Sequence, residues 1–499
     1  MQELNHFLGG TYVKGRSGRF SDVFNPATGE VQSRCPMASA DETAAAIEQA
    51  AEAQPKWGAM NPQRRARVMM AMVGLMNRDM DKLAEALSKE HGKTFPDAKG
   101  DLQRGLEVIE YCIGAPQMLK GEYTDSAGPG IDMYSMRQPL GVVGSIMPFN
   151  FPAMMPLWHV GPALACGNAV VLKPSERDPS VPLMLAELFV EAGLPKGVFQ
   201  VVNGDKEAVD AILDSEIIQG VSFVGSTPIA QYIYSRATAN GKRAQCFGGA
   251  KNHLIVMPDA DIEQAADAIV GAGFGAAGER CMAVSVAVPV GEETADSLIK
   301  ALIPRVEKLK IGPYTAGNDV DMGPVITAES KHRILGLIQS GIDQGAELVV
   351  DNRDFSLQGY ENGFFVGPHL FDNVTPEMDI YKTEIFGPVV STVRAGSYEE
   401  AIGLAMDHEY GNGTAIFTRD GDTARDFANR INIGMVGINV PVPVPLAYHT
   451  FGGWKKSMFG DLNQHGPDSF KFYSRTKTVT SRWPSGIKEG GEFNFKAMD

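Results

Sequence analysis

Between Gly141 and Val224 the chain alternates short, wholly apolar runs with segments of helical length. "GVVGSIMPF", "AVVLK", "VFQVV" and "GVSFV" read as strands, and 153–165, 180–192, 206–214 and 228–238 as helices. Strands that are apolar on both faces and separated by helices must lie parallel, between two helical layers. No other feature restricts the fold so strongly, because parallel neighbours need crossover connections and the helices supply them. A second block of this kind opens at "HLIVM" from His253. It runs through helix 262–276, strand 282–290, helices 293–308 and 328–344 and strand 347–350, and ends at "GMVGINV" from Gly434. The expected class is α/β, with two doubly wound parallel-sheet lobes.

The flanking segments differ. Residues 7–35 read as a β-hairpin region around "NPATGE", followed by helices over 41–58, 62–90 and 98–115. Segments 121–140 and 466–482 read as extended, and "PVPVPLAYHT" over 441–450 is too rich in proline for either regular element. Two distant extended segments predict one small β element beside the lobes.

Composition excludes several functions. A net charge of −15 repels polyanions, so nucleic acid is not an expected partner. The most apolar stretch, Met154 to Leu172, is interrupted by His159, Gly161, Pro162, Gly167 and Asn168, and reads as helix plus strand rather than a membrane span. "MQELNHFLGG" lacks the basic-then-apolar pattern of a secretory signal. The five cysteines are scattered, odd in number and without CxxC, which fits a reducing cytoplasm and argues against a disulfide frame or structural zinc. No HExxH occurs, and no metal site is expected.

Four stretches carry possible chemistry. In "GAGFGAAGERCMAVSV", Cys281 follows a run of small residues and begins the strand after it. Arg280 and nearby backbone N–H groups would favour its thiolate, the nucleophilic form. An unpaired cysteine can equally be a small buried hydrophobe. Gly273, Gly275 and Gly278 satisfy GxGxxG, but here a helix precedes and a strand follows, the reverse of a dinucleotide fingerprint. "MPFNFP" sets Asn150 in a rigid turn, either as an oxyanion donor or as a loop asparagine capping its own backbone. "SFVGSTPIA" runs from strand through Gly225 and Ser226 to Pro228 at a helix start. That is a phosphate site or an ordinary N-cap. "LKPSER" brings Lys173 and Glu176 to the carboxyl edge of the sheet, where a carboxylate can accept from both ribose hydroxyls or simply open a solvated helix.

"PFNFP", "KPSER", "FVGSTP", "GGAKN", "GERC", "EIFGPV" and "FGGWKKS" follow one another in an order and spacing that resemble the aldehyde dehydrogenase superfamily over nearly the whole chain. "RGLEVIEY", "GAKNH", "FGAAGERCMA" and "FYSRTKTVTSRWP" resemble its methylmalonate-semialdehyde dehydrogenase, CoA-acylating branch. The resemblance implies a Rossmann-like NAD-binding domain (1–120 and 140–250), a catalytic domain (251–436) and a β oligomerisation element (121–139 and 464–486). It also implies a return segment near the active site (437–463) and a homotetramer or homodimer. It implies Cys281 as nucleophile and Asn150 with the Cys281 N–H as oxyanion hole. Met147, Phe149, Lys173, Glu176, Arg177, Ser226, Gly248 and Glu384 become the cofactor contacts. Arg104 and Arg280 become the readers of a substrate carboxylate. By spacing alone, Arg104 shares a helix face with Val108 and Tyr111, or pairs on the surface with Glu107.

One departure matters. Most of the superfamily carries a glutamate base in ELGGK, whereas this chain has "QCFGGAKN", with Cys246 or Phe247 at that place. The CoA-acylating branch also lacks the glutamate. The activity implied is oxidation of malonate or methylmalonate semialdehyde by NAD through a Cys281 thioester, with decarboxylation and acyl transfer to coenzyme A. The alternative is a hydrolytic semialdehyde dehydrogenase that releases free acid.

Overall fold

Strand Val142–Ile146 lies in the middle of an eight-stranded sheet in a computed structural model that describes residues 2–483. Ala169–Lys173 and Phe199–Val201 lie on one side of it, Ile218–Val224 and Arg243–Phe247 on the other, and all five run parallel. "AVVLK" is buried along its whole length, as a strand covered on both faces should be. The chain builds first to one side of Val142–Ile146 and then to the other. A crevice therefore opens beyond the carboxyl ends of Val142–Ile146 and Ile218–Val224, where strand order reverses. Short antiparallel strands His6–Leu8, Thr11–Val13 and Met458–Phe459 cover the two edges.

The second block forms a seven-stranded sheet: Glu347–Val350, His369–Asp372, Val389–Thr392, Val284–Pro289, Asn252–Val256, Gly413–Phe417 and Met435–Ile438. It is parallel except for the edge strand Glu347–Val350. Both expected parallel sheets are present. Phe20–Asn25 and Glu30–Pro36 pair as the expected hairpin.

Three local expectations need correction. The helix expected over 62–90 is two helices, Pro62–Arg78 and Met80–His91. Asp79 leaves helical backbone at φ −102° and ψ 12°, while the apolar period runs on through the break and conceals it. The strand expected over 282–290 is Val284–Pro289, so Cys281 sits in a turn before it. The extended segment expected over 466–482 begins as helix Gly466–Phe472, which Pro467 pre-sets at its first turn; only Ser474–Arg482 is strand.

Ser474–Arg482 pairs antiparallel with Ile131–Pro139, and Tyr123–Gly128 completes a separate three-stranded sheet. Met1 and residues 484–486 of the expected oligomerisation element lie outside the described residues. Among the described residues, no helix is long and apolar enough to cross a membrane.

Helix Phe95–Cys112 packs on Met154–Ala165 through Gly105, where a Cβ would lie 2.6 Å from Leu157 Cδ1. Overpacking at such a contact costs ~1–3 kcal/mol. The close approach brings Asp101 against the turn that carries Asn150, where it accepts the Met154 N–H, and the Arg104 carbonyl accepts from Trp158 Nε1 at 3.0 Å.

Candidate active site

The small residues before Cys281 have a conformational cause. Ala276, Ala277 and Gly278 take φ of 51°, 53° and 73°, three consecutive left-handed residues. A Cβ on Gly278 would lie 2.0 Å from the carbonyl oxygen of Gly387. Only small side chains tolerate such a path. The apparent GxGxxG therefore serves packing: Gly273 faces Val390, and Gly275 lies under the guanidinium of Arg280.

The turn delivers Cys281 half-buried, whereas Cys35, Cys112, Cys166 and Cys246 are buried. Its carbonyl oxygen accepts from Asn252 Nδ2 at 2.9 Å and Asn412 Nδ2 at 3.0 Å. Burial pushes the Cys281 thiol up to about 12, and the carboxyl of Glu384 pushes the same way. The backbone N–H groups of Cys281 and Met282 and the charge of Arg280 pull it down by less. These groups favour the thiolate as expected, but desolvation outweighs them.

Asn150 is buried, and its Nδ2 donates to the carbonyl oxygen of Glu279 at 3.0 Å. An amide nitrogen carries two N–H groups, so one remains for another acceptor. The Asn150 carbonyl accepts from Lys93 Nζ at 2.7 Å.

A cleft of about 880 Å³ runs from Asp205 and Lys206 to Cys281. Met147, Phe149 and Asn150 form part of its wall. Lys173, Glu176 and Arg177 enter from the neighbouring strand on one side, Ser226 and Gly248 from the two strands on the other, and Glu384 from the second lobe. Lys173 Nζ lies 3.3 Å from Glu176 Oε2. Burial works against the charge of Glu176, yet Lys173 and Arg177 hold its carboxyl below the ordinary value. Arg177 stacks over the Phe149 ring at 5.2 Å. Ser226 caps helix Thr227–Ala239 without using its hydroxyl, and Thr227, not Pro228, opens that helix. A Cβ on Gly248 would lie 2.7 Å from the carbonyl oxygen of Lys456, so only glycine fits.

Glu384 Oε1 accepts the Ala250 N–H at 3.0 Å, and a Cβ on Gly249 would lie 2.6 Å from Oε2. Burial lifts its carboxyl to about 7. Lys251 Nζ donates to the carbonyls of Ile380 and Thr383 at 2.6 and 2.8 Å and pins the loop that bears Glu384. Cys246 and Phe247, at the place of the usual glutamate, are buried apolar groups in strand Arg243–Phe247.

Arg104 and Arg280 stand outside this cleft. Arg104 pairs with Glu107 at 2.6 Å, the alternative that spacing allowed, and donates to the carbonyl of Pro445 at 2.7 Å. Arg280 pairs with Asp97 at 2.7 Å and lines a small cavity with Cys281 and Glu384. Lys93, Asn252 and Asn412 contact the site, and sequence reasoning passed over them. Asn252 stood inside the quoted "GGAKN"; Lys93 and Asn412 carried no motif of their own.

A helix start with a free hydroxyl suits a pyrophosphate, and a carboxylate beside a lysine suits ribose hydroxyls. With Cys281 at the inner end, the cleft fits a nicotinamide dinucleotide. Together with the two parallel-sheet lobes, these features define an aldehyde dehydrogenase, and the chain belongs to the aldehyde dehydrogenase family, whose sequence profile matches residues 12–479. It is 54% identical to the malonate-semialdehyde dehydrogenase of Pseudomonas aeruginosa over 499 residues, all of both chains. It is 48% identical to the mitochondrial acylating methylmalonate-semialdehyde dehydrogenase of Arabidopsis thaliana, over 96% of this chain and 78% of that one. A crystal structure of a candidate methylmalonate-semialdehyde dehydrogenase from Sinorhizobium meliloti, complexed with NAD, superposes with a TM-score of 0.97 at 69% identity, over 98% of this chain and 99% of that one.

Proposed function

We propose that the protein is an NAD-dependent, CoA-acylating dehydrogenase of malonate or methylmalonate semialdehyde, yielding acetyl-CoA or propionyl-CoA. The observation that carries this reading is the cleft that joins Glu176 and Ser226 to a half-buried Cys281, with no carboxylate at positions 246 or 247. The names borne by the relatives support the substrate class.

The Cys281 thiol releases its proton to water in the cleft, and the sulfur adds to the aldehyde carbon. The remaining N–H of Asn150 and the N–H of Cys281 hold the oxyanion that forms. Glu176 and Lys173 hold the adenosine ribose. Ser226 and the helix start behind it face the pyrophosphate. Met147, Phe149, Arg177 and Gly248 shape the cleft wall, and Glu384 meets the nicotinamide ribose. NAD supplies the two-electron acceptor, taking a hydride from the adduct and leaving an acyl thioester on Cys281. Arg104 and Arg280 read the substrate carboxylate. That carboxylate then leaves as carbon dioxide, the C–C bonding pair is taken up by a proton, and the CoA thiol displaces the Cys281 sulfur.

The missing base separates this from hydrolysis. A positioned carboxylate contributes ~10²–10⁴-fold to attack by water, whereas a CoA thiol needs less help. Malonate semialdehyde should give a fast burst of NADH and then slow turnover until CoA is added, with acetyl-CoA as product. A steady-state rate indifferent to CoA, with free acid released, moves the assignment to the hydrolytic enzyme.

The same proposal assigns 1–120 and 140–250 to NAD binding, 251–436 to catalysis and the three-stranded sheet to assembly as a homotetramer or homodimer. Exposed Tyr123 on that sheet and exposed Trp483 just past its last strand support the last point. The five free thiols support a reducing, cytoplasmic setting.

A further inference from the structure

Lys93 is a fully buried lysine that none of the steps above uses. Its ammonium donates to the carbonyl oxygen of Asn150 at 2.7 Å and to Asp101 Oδ2 at 3.2 Å, and lies 4.4 Å from the centre of the Phe151 ring. Both side chains of the Lys93–Asp101 pair have no exposed surface. Asp101 Oδ1 in turn accepts the N–H of Met154, the first residue of helix Met154–Ala165, at 2.6 Å. The pair therefore grips the turn between Asn150 and Met154 at both ends. On its other side, Asn150 is held by the single bond from Nδ2 to Glu279 O.

Burying a lysine and an aspartate together rarely adds net stability, since desolvation offsets their attraction. The pair instead specifies a geometry. Rotation of the Asn150 peptide would strand the ammonium without its best acceptor, and unsatisfied charge is costly in a dry site. Rigid donors aimed where charge develops act more strongly than mobile ones.

We infer that Lys93, backed by Asp101, is a positioning residue for the oxyanion hole: it fixes the peptide of Asn150 so that the free amide N–H points at the Cys281 adduct. This rests on the assignment of Asn150 as oxyanion donor.

The test is a double-mutant cycle on the full-length enzyme, read by rapid-mixing NADH bursts with malonate semialdehyde. Asn150→Ala should slow the burst ~10²–10³-fold, and Lys93→Met should slow it by tenfold or more. In the Asn150→Ala background, Lys93→Met should then cost less than twofold, because a residue acting through Asn150 has nothing left to position. NAD affinity and the rate of Cys281 alkylation by iodoacetamide, which involves no oxyanion, should stay within twofold of wild type in all variants. If Lys93→Met does not fold, Lys93→Met/Asp101→Asn removes both charges, keeps an acceptor for Met154 and takes its place in the cycle. Equal Lys93→Met losses in both backgrounds, or a matching fall in alkylation rate, overturns the inference. An Asn150→Ala enzyme with a wild-type burst overturns the assignment of Asn150 instead.

Discussion

Asn252 Nδ2 donates to the carbonyl oxygen of Cys281 at 2.9 Å and to that of Ala283 at 2.8 Å, while its Oδ1 accepts the Gly413 N–H at 3.1 Å. One side chain thus ties the Cys281 turn to the strand that starts at Gly413. Asn412 adds a second bond to the Cys281 carbonyl. The turn needs such ties, because two alanines hold left-handed backbone just before it. Asn252→Ala should let the peptide of Cys281 drift. A displacement of ~1 Å costs ~10²-fold in rate, so the NADH burst should slow by at least tenfold, with NAD affinity nearly unchanged. A burst at the wild-type rate would show that Asn412 alone suffices.

The thiol makes a second prediction with a definite sign. Burial and the neighbouring Glu384 push Cys281 up to about 12, and burial lifts Glu384 to about 7, so Cys281 is expected to be a thiol at neutral pH. Alkylation of the enzyme alone by iodoacetamide should be slow at pH 8 and rise about tenfold per pH unit to pH 10 without a plateau. Glu384→Gln removes a negative charge and should speed alkylation several-fold at pH 8–9. Below pH 6 the native carboxyl is itself protonated, so the two proteins should converge there. A plateau near pH 8 in the native enzyme would mean that the backbone donors outweigh burial.

Glu279 predicts a stability change. It is fully buried, Oε1 accepts the Ile326 N–H at 3.3 Å, and Oε2 has no partner. Burial lifts its carboxyl to about 8. A carboxyl raised on folding binds its proton more tightly in the native state, so stability falls as pH climbs from the unfolded value toward 8. Glu279→Gln removes that cost. Its unfolding midpoint should exceed the native one at pH 8, by a free energy on the order of a few kcal/mol, and the gain should vanish near pH 5. A variant less stable at both pH values would mean that the carboxylate is paired in solution.

The sequence made the two sheets readable because their strands are apolar on both faces, as "AVVLK" and "HLIVM" are. It also carried most residues of the large cleft, since Met147, Phe149, Asn150, Glu176, Arg177, Ser226 and Gly248 each follow a strand at the same sheet edge. The break at Asp79 was hidden because the apolar period continues through it. Helix Gly466–Phe472 was hidden because seven residues are too few to display a helical period. The pairing of Lys93 with the Asn150 carbonyl spans 57 positions and uses a backbone acceptor, which no side-chain pattern reports. The pull of Arg280 on Cys281 was visible in sequence, whereas the desolvation that opposes it was not.

Arg104 and Arg280 carry the last prediction. Each already holds a carboxylate, Glu107 and Asp97, at 2.6 and 2.7 Å, and Arg104 also grips the carbonyl of Pro445 in the proline-rich loop. A guanidinium has five N–H donors in a fixed fork, so one protein carboxylate does not exhaust it. A substrate carboxylate can take the remaining edge, and the protein partner then sets orientation rather than blocking it. If both arginines read that group, Arg104→Leu and Arg280→Leu should each lower kcat/KM for malonate semialdehyde by at least tenfold. Propanal, which lacks the carboxylate, should lose little, because it offers neither guanidinium an acceptor to lose. Glu107→Gln and Asp97→Asn supply the control. Freeing the arginines from a competing charge should leave KM for the semialdehyde unchanged or lower it. Equal losses for both aldehydes in the leucine variants, or a raised semialdehyde KM in the controls, would make these pairs structural ties of helix Phe95–Cys112 to the Pro445 loop and the Cys281 turn, and selection of the substrate would have to come from another cation.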